Sequence, residues 1–436
     1  MNYLNTRKRL SDKSACIGII GLGYVGLPLL LRFSDVGFKV MGFDVDQNKI
    51  ASFKKSESYI AHIPEDRIIS AVSRGATATS DFSKISQVDA IIICVPTPLD
   101  KFLTPDLSHI RSTVKAILPF IKKGQIISLE STTYPGTTEE ELATPIQALG
   151  MIIGEDIFVA FSPEREDPGN PNYSTQTIPK ICSGVTKNCL EVAASLYESV
   201  IDKVIRVSSP KIAEMSKLLE NIHRAVNIGL VNELKLVADK MGIDIYEVIG
   251  AASTKPFGFV AYHPGPGLGG HCIPIDPYYL TWKAKEYGIH TRFIELAGEI
   301  NSAMPNFVID KIQFALNLHK KSLNDSSILL LGLAYKKNID DMRESPCIDI
   351  AKNLELAGAN VTLYDPHIKQ NKILLQNKEF NILKNNLTKE LITKFDCVAL
   401  ITDHDDFDYK LIQDYSRLLI DTRGKFITNK TNCFRA

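Results

Sequence analysis

The sequence predicts an α/β protein: two Rossmann-like, doubly wound domains joined by a long helix and a central helical segment. Three observations carry this. Short apolar runs recur in the first and last thirds of the chain, each ending in glycine or polar residues, as buried parallel strands do. The first of them opens directly into a G-x-G-x-x-G turn. Between the two thirds lies a stretch from Ser209 to Gly242 with apolar residues at helical spacing and no interior proline.

Taken in order, "ACIGII" (15–20) suits a buried strand, "GLGYVG" follows, and "LPLLLRFSDVG" reads as a helix. "KVMGFDVD" is the next strand and ends near Asp44. Further strands are expected at "AIIICVP" (90–96), "QIISLES" (125–131) and "IFVAFSP" (157–163). Strands alternating with helices imply a parallel sheet. The long helix from about 209 is followed by a second helical stretch over roughly 276 to 320. From Ser326 the strand pattern returns in "SSILLLGLAY", "NVTLYDP", "DCVALIT" and "RLLIDTRG", a glycine-poor counterpart of the first domain. The expected domains are 1–208, binding a dinucleotide; 209–322, helical and supplying a dimer interface; and 323–436.

With 436 residues, 44% apolar and 23% charged, the chain suits a soluble globular protein of two or three domains. Lys+Arg and Asp+Glu both total 50, which gives no electrostatic case for nucleic acid or an acidic membrane surface. No apolar stretch reaches the roughly 18 residues of a membrane helix and the start lacks a signal-peptide core, so a cytoplasmic location is expected. The eight cysteines are scattered, with no C-x-x-C pair or Cys/His cluster at zinc spacing. Neither His223 nor His271 has a partner at ligand spacing, so no metal is expected.

Gly21, Gly23 and Gly26 stand in the strand-to-helix context that dinucleotide binding needs, with Tyr24 and Val25 between them. The first glycine permits a tight turn, the second lets the backbone approach a pyrophosphate, and the third lets helix pack on strand. Asp44, about 20 residues on, is placed for a ribose 2′-hydroxyl and would repel a 2′-phosphate, so NAD is favoured over NADP. Thr97 and Thr132 sit at strand ends, where cofactor contacts and ordinary turn threonines are equal readings. Lys336, Lys337, Arg343 and Arg423 form a basic rim on the last domain, suited to a nucleotide diphosphate or to plain solvation. Lys217 and Asn221 are spaced i, i+4 on the long helix and point the same way, although spacing alone favours a surface lysine. Glu164, just past a strand, is either catalytic or an N-cap. Cys272 differs from the strand cysteines, because "GPGLGGHCIPIDP" (265–277) surrounds it with glycine and proline rather than apolar packing. In an NAD enzyme a nucleophilic cysteine captures an aldehyde as a thiohemiacetal, which loses hydride to become a thioester.

In motif order, "GLGYVGLP", "VPTP", "ESTTYPGTT", "FSPERE", "KLLEN" and "GGHCIPIDP" resemble the UDP-glucose/GDP-mannose dehydrogenase family over nearly the whole chain. Within it the wording is most similar to the bacterial branch that oxidises UDP-N-acetyl-D-glucosamine for O-antigen synthesis. The resemblance implies a four-electron oxidation of the sugar C6 hydroxymethyl to a carboxylate, with two NAD⁺ consumed. It implies that Cys272 is the nucleophile, that Lys217 and Asn221 stabilise the oxyanion at C6, and that Asp276 and Glu164 work on water. It assigns Gly21, Gly23, Tyr24, Val25, Gly26, Asp44, Thr97, Thr132 and Arg343 to NAD. Glu164, Arg165, Lys217, Asn221, Gly269, Lys336 and Arg423 fall to the UDP-sugar, with the loop 265–270 closing over it. Apart from the resemblance, the long apolar helix suits a dimer interface, so a homodimer or larger homo-oligomer through the central helix is expected. Two departures from the UDP-glucose branch lie where the sugar should sit: "ERED" runs straight into "PGNP", and no arginine precedes the cysteine in "TKPFGFVAYHPGPG". Both favour a sugar altered at C2, such as an N-acetyl sugar, leaving gluco and galacto configurations open. The alternatives are a UDP-N-acetylgalactosamine or UDP-glucose 6-dehydrogenase, a two-electron hydroxyacid or sugar-phosphate dehydrogenase, and a non-catalytic nucleotide-sugar sensor.

Overall fold

The computed structural model describes residues 2–60, 63–165, 173–270, 272–375, 378–426 and 431–436. The chain divides into two compact units, residues 1–220 with 278–290, and residues 221–277 with 291–436.

The first unit is built on eight strands: β1 (Cys16–Ile20), β2 (Lys39–Phe43), β3 (Thr77–Thr79), β4 (Ala90–Ile93), β5 (Ile126–Leu129), β6 (Phe158–Phe161), β7 (Lys180–Gly184) and β8 (Val204–Arg206). Their order is β3-β2-β1-β4-β5-β6-β7-β8. All neighbours are parallel except β6 and β7. β4, β5 and β6 are buried along their whole lengths, which is why their sequences run apolar without alternation. The order turns back between β1 and β4, the place where open parallel sheets bind ligands beyond their strand ends. Helix α1 (Gly26–Asp35) follows β1 and buries nearly all of its side chains.

Helix α2 (Pro210–Met241) begins in the first unit and ends in the second; its 32 residues rise about 48 Å. α3 (Ile245–Ala252) comes next, capped by the Asp244 carboxylate, which accepts from the Tyr246 amide. The single helical stretch expected over 276–320 is two helices, α4 (Asp276–Lys285) and α5 (Arg292–Leu318). Gly288, at φ +68°, ends the first. Its amide bonds Lys285 O and the Ile289 amide bonds Ala284 O, the paired closure of a Schellman stop. Among the described residues, no helix is long and apolar enough to cross a membrane.

The second unit carries β9 (Ser327–Leu331), β10 (Asn360–Tyr364), β11 (Lys372–Leu375), β12 (Lys378–Leu383), β13 (Cys397–Leu400), β14 (Leu419–Asp421) and β15 (Cys433–Arg435). Their order is β11-β12-β10-β9-β13-β14-β15, parallel except for β11 with β12. Each face of this sheet holds its own apolar cluster. Ile328 and Leu330 join one with Val308, Ile312 and Ile350, while Leu329 and Leu331 join the other with Phe395 and Phe407. The two-residue period of the strand sorts them.

Candidate active site

At the end of β1 the backbone turns at Gly21, which has φ +92° and donates its amide to Phe43 O. A Cβ at Gly21 would lie 2.4 Å from Cys94 O, and one at Gly26 would lie 1.9 Å from Gly21 O. Both positions therefore exclude every side chain. Gly23 differs, because a Cβ there would meet nothing within 4 Å. Its missing side chain leaves open space at the loop, as a pyrophosphate approaching the backbone requires. Asp44 is buried just after β2 and accepts from the Leu22 amide (2.8 Å), the Asp46 amide (2.9 Å) and Lys49 Nζ (3.1 Å). A carboxylate has about four acceptor positions, so one remains for a ribose hydroxyl. The open space and the spare acceptor fit NAD. Lys49 is not evident as a site residue in the sequence, although its place one helical turn beyond Asp44 is a usable signal. Thr97 and Thr132 lie buried past the ends of β4 and β5, and Ser131 Oγ ties these two ends by donating to Val95 O (2.7 Å). The neighbouring Thr133 has a buried hydroxyl with no partner among the described residues.

Past β6, Glu164 is buried, with a carboxylate oxygen 3.7 Å from Lys217 Nζ, and Lys217 is buried on α2. The lysine that spacing alone leaves on the surface is thus desolvated and faces a carboxylate. Three buried groups that the sequence does not single out brace this corner. Lys180 Nζ pairs with Glu130 (2.8 Å) and donates to Pro163 O (3.3 Å), the residue before Glu164. Tyr197 donates to the same Glu130 (2.7 Å). Glu214, one turn before Lys217, accepts from the Gly136 amide (2.6 Å), the Thr138 amide (2.9 Å) and Thr138 Oγ1 (2.7 Å), which fastens α2 to the turn after β5. Burial pushes the Glu214 carboxyl above its ordinary value even though these three donors favour the charge. Arg165 is engaged by Glu220 (2.6 Å) and by Pro179 O (2.6 Å). The departure running from "ERED" into "PGNP" lies at 166–172, outside the described residues, as does His271.

In the second unit Cys272 occupies a bend whose carbonyl accepts the amides of Ile275 (3.2 Å) and Asp276 (2.9 Å), a tight turn leading into α4. Asn221 Nδ2 donates to Asp276 Oδ2 at 2.5 Å, with both side chains no more than 4% exposed. This bond ties the cysteine turn to the part of α2 that lies in the second unit. Cys272 is partly exposed. In the loop before the cysteine, a Cβ at Gly269 or Gly270 would lie 2.6 or 2.7 Å from Tyr335 side-chain atoms, so these glycines admit Tyr335. The Gly270 amide donates to Arg343 O (3.1 Å), and the Arg343 guanidinium pairs with Asp341 (2.6 Å). Arg423 donates from Nε to Ile401 O (2.7 Å), and a Cβ at Gly265 would lie 2.7 Å from one of its terminal nitrogens. Lys336 is partly buried, whereas Lys337 pairs at the surface with Asp405 (2.9 Å).

The second sheet repeats the glycine turn of the first in altered form. Gly332 has φ +89°, and a Cβ there would lie 2.4 Å from Thr402 O. Asp365, after β10, accepts from the amides of Leu333, Ala334 and His367, and His404 Nε2 lies 3.0 Å from it. His404 Nδ1 accepts from the Asn338 amide (3.0 Å), so the ring is neutral and its Nε2–H points at Asp365. Burial opposes ionisation of Asp365, but the His404 and amide donors outweigh it and hold the carboxyl below its ordinary value. The acceptor left open on Asp44 is closed here by an imidazole. Among the described residues, no group of three His, Cys, Asp or Glu side chains is placed to hold a metal.

Three domain descriptions of the UDP-glucose/GDP-mannose dehydrogenase family match the chain: the NAD binding domain at 15–201, the central domain at 211–303 and the UDP binding domain at 329–435. The chain belongs to that family. This dehydrogenase is NAD-dependent and acts on a nucleotide sugar. It is 35% identical over 358 residues to the UDP-N-acetyl-D-glucosamine 6-dehydrogenase of Pseudomonas aeruginosa, covering 82% of this chain and 84% of that one. It is also 35% identical over 424 residues to the NDP-N-acetyl-D-galactosaminuronic acid dehydrogenase of Ralstonia nicotianae, covering 94% and 95%. Its fold is similar to that of the UDP-D-ManNAc dehydrogenase of Pyrococcus horikoshii, with TM-score 0.86, 30% identity and coverage of 96% and 98%.

Proposed function

We propose that this dehydrogenase oxidises C6 of UDP-N-acetyl-D-glucosamine to the carboxylate, in the cytoplasm, for a surface polysaccharide such as O-antigen. The observation that carries the reading is the buried Asn221–Asp276 bond, which joins the cysteine turn to the helix holding Lys217. Cys272 sulfur adds to the C6 aldehyde carbon, and the resulting alkoxide is stabilised by the Lys217 ammonium and by the Asn221 N–H not given to Asp276. Oxidation of this thiohemiacetal leaves a thioester on Cys272. Water, activated by Asp276 or Glu164, then cleaves the carbon–sulfur bond, releasing the acid and restoring the thiol. NAD, when bound on the Gly21–Gly26 loop and Asp44, supplies the two-electron acceptor for each oxidation. In this reading 1–208 serves NAD, 209–322 carries the cysteine loop, and 323–436 serves UDP through Lys336 and Arg423. A homodimer is supported by the exposed stripe Leu230, Leu234, Val237 and Met241 along α2. The N-acetyl sugar is supported by the two sequence departures and by relatives named for N-acetylated sugars. The test follows NADH at 340 nm with UDP-glucose and the UDP-linked N-acetyl-glucosamine, -galactosamine and -mannosamine. Two NADH per UDP-N-acetylglucosamine, with the others slow, is expected; one NADH per sugar contradicts the mechanism, and preference for another sugar corrects the substrate.

A further inference from the structure

Lys235 lies on α2 within the second unit, three residues past Asn232, and is only 3% exposed. Its ammonium has no hydrogen-bond partner among the described residues. A buried ammonium is costly, and a protein meets that cost either by releasing its proton more readily or by setting a counter-charge beside it. The face of Phe307 on α5 is 6.0 Å away, at the limit of a useful cation–π contact.

The same spot holds a second orphan. Arg435 on β15 pairs through its terminal nitrogens with Asp421 and, at 3.3 Å, with Asp244, but its buried Nε has no partner among the described residues. Lys235 and Arg435 line one cavity together with Asp239, Asp244, Tyr246, Phe307 and Ala436. Its volume is about 30 Å³, room for about two water-sized spheres. The acids on its wall each hold another partner. Asp239 pairs with Lys311 (2.5 Å), and Asp244 receives the Tyr246 amide (2.9 Å) besides Arg435. Two residues that line one small cavity thus carry buried cationic N–H donors with no hydrogen-bond partner among the described residues.

We propose that this cavity is a binding site for a small monovalent anion, a halide or the carboxylate head of a small acid, held by Lys235 Nζ and Arg435 Nε. The site is wired to the 421–423 turn, because Asp421 accepts from Arg435 with one carboxylate oxygen and from the Arg423 amide with the other. Burial, followed by the Arg423 charge, lowers the Lys235 ammonium to about 7. Anion binding therefore tightens as pH falls through neutrality. The charged and titratable groups facing Lys235 are Asp239 on its own helix, Lys311 on α5, Tyr246 on α3, and Asp244, Asp421, Arg423 and Arg435 beside them.

The experiment soaks crystals of the full chain in sodium bromide and maps anomalous scattering. In parallel, melting temperature is measured in bromide, acetate and gluconate at matched ionic strength, at pH 6 and pH 9. A bromide peak on Lys235 and Arg435 is expected, with bromide stabilisation at least threefold greater at pH 6 than at pH 9. Acetate stabilising as well as bromide would assign a carboxylate ligand, and bromide alone a halide; both support the site. Lys235→Met should fold, melt higher in gluconate, and lose the peak and the bromide effect. A peak absent from Lys235, an Ala436 carboxylate seated there instead, or an unchanged bromide effect in Lys235→Met would overturn the proposal.

Discussion

The three glycines of the first turn make a matched set in which stability and cofactor affinity should separate. Gly23→Ala adds a methyl that touches nothing within 4 Å and sits at a residue without positive φ, so the unliganded protein should melt within about 1 °C of the parent. If NAD binds as proposed, the same methyl fills the space through which a pyrophosphate oxygen reaches the backbone. Losing one charge-assisted hydrogen bond costs roughly 1.5–3 kcal/mol, about 10- to 100-fold in the dissociation constant for NAD. Gly21→Ala should do the opposite. Its φ of +92° costs an alanine roughly 1–2 kcal/mol, and the 2.4 Å approach to Cys94 O forces the ends of β1 and β4 apart. A combined loss of roughly 2–5 kcal/mol, at about 2–4 °C per kcal/mol, lowers the melting point by roughly 4–20 °C. Calorimetric melting of the free protein and titration calorimetry with NAD measure the two effects separately. If Gly23→Ala binds NAD like the parent, or loses stability as Gly21→Ala does, the loop does not receive a pyrophosphate in the way argued.

Cys272→Ser should abolish the second NADH, measured as stoichiometry at 340 nm, and undiminished two-NADH turnover would exclude the thioester. Asp276→Leu removes the acceptor of the Asn221 amide and should lower kcat by on the order of 100-fold with NAD affinity unchanged, checked by steady-state kinetics and calorimetry. Lys180→Met strands the buried Glu130 carboxylate and should cost roughly 3–5 kcal/mol in denaturant unfolding, with Glu130→Gln/Lys180→Met recovering part of the loss. In gluconate buffer, Lys235 binds its proton less tightly folded (about 7) than unfolded (near 10.5), so the unfolded chain holds more protons between these values. Stability should therefore rise with pH from about 7 to 10, and Lys235→Met should flatten that rise.

Much of the fold was legible because its signals are local. Strands covered on both faces must be apolar throughout, so β1, β4, β5, β6, β9 and β13 announce themselves. The glycine turn was readable for a similar reason: Gly21 and Gly26 are dictated by a close backbone approach that admits no Cβ. The elements left unread carry weak local patterns. β11 and β12 mix exposed Lys372, Leu374, Lys378, Glu379 and Asn381 among buried or partly buried apolar residues, and β15 is three residues long. The break between α4 and α5 had its signal in Gly288, which a helical apolar period on both sides obscures.

The sequence by itself determined the two parallel-sheet halves, the glycine turn with its acid, and a cysteine set apart from strand packing, since each depends on neighbours within a few residues. Only the tertiary structure decided which polar groups are desolvated and by what they are met. Lys217 reads as a surface lysine until burial sets it beside Glu164, and Glu130, Lys180 and Glu214 read as ordinary charges until they are found paired inside. Asp44 and Asp365 stand at the same point of a repeated motif, yet Lys49 leaves one with an open acceptor while His404 closes the other. Charge and spacing are properties of the chain, whereas dielectric and partner depend on residues distant in it, and those two set what a carboxylate or an ammonium can do.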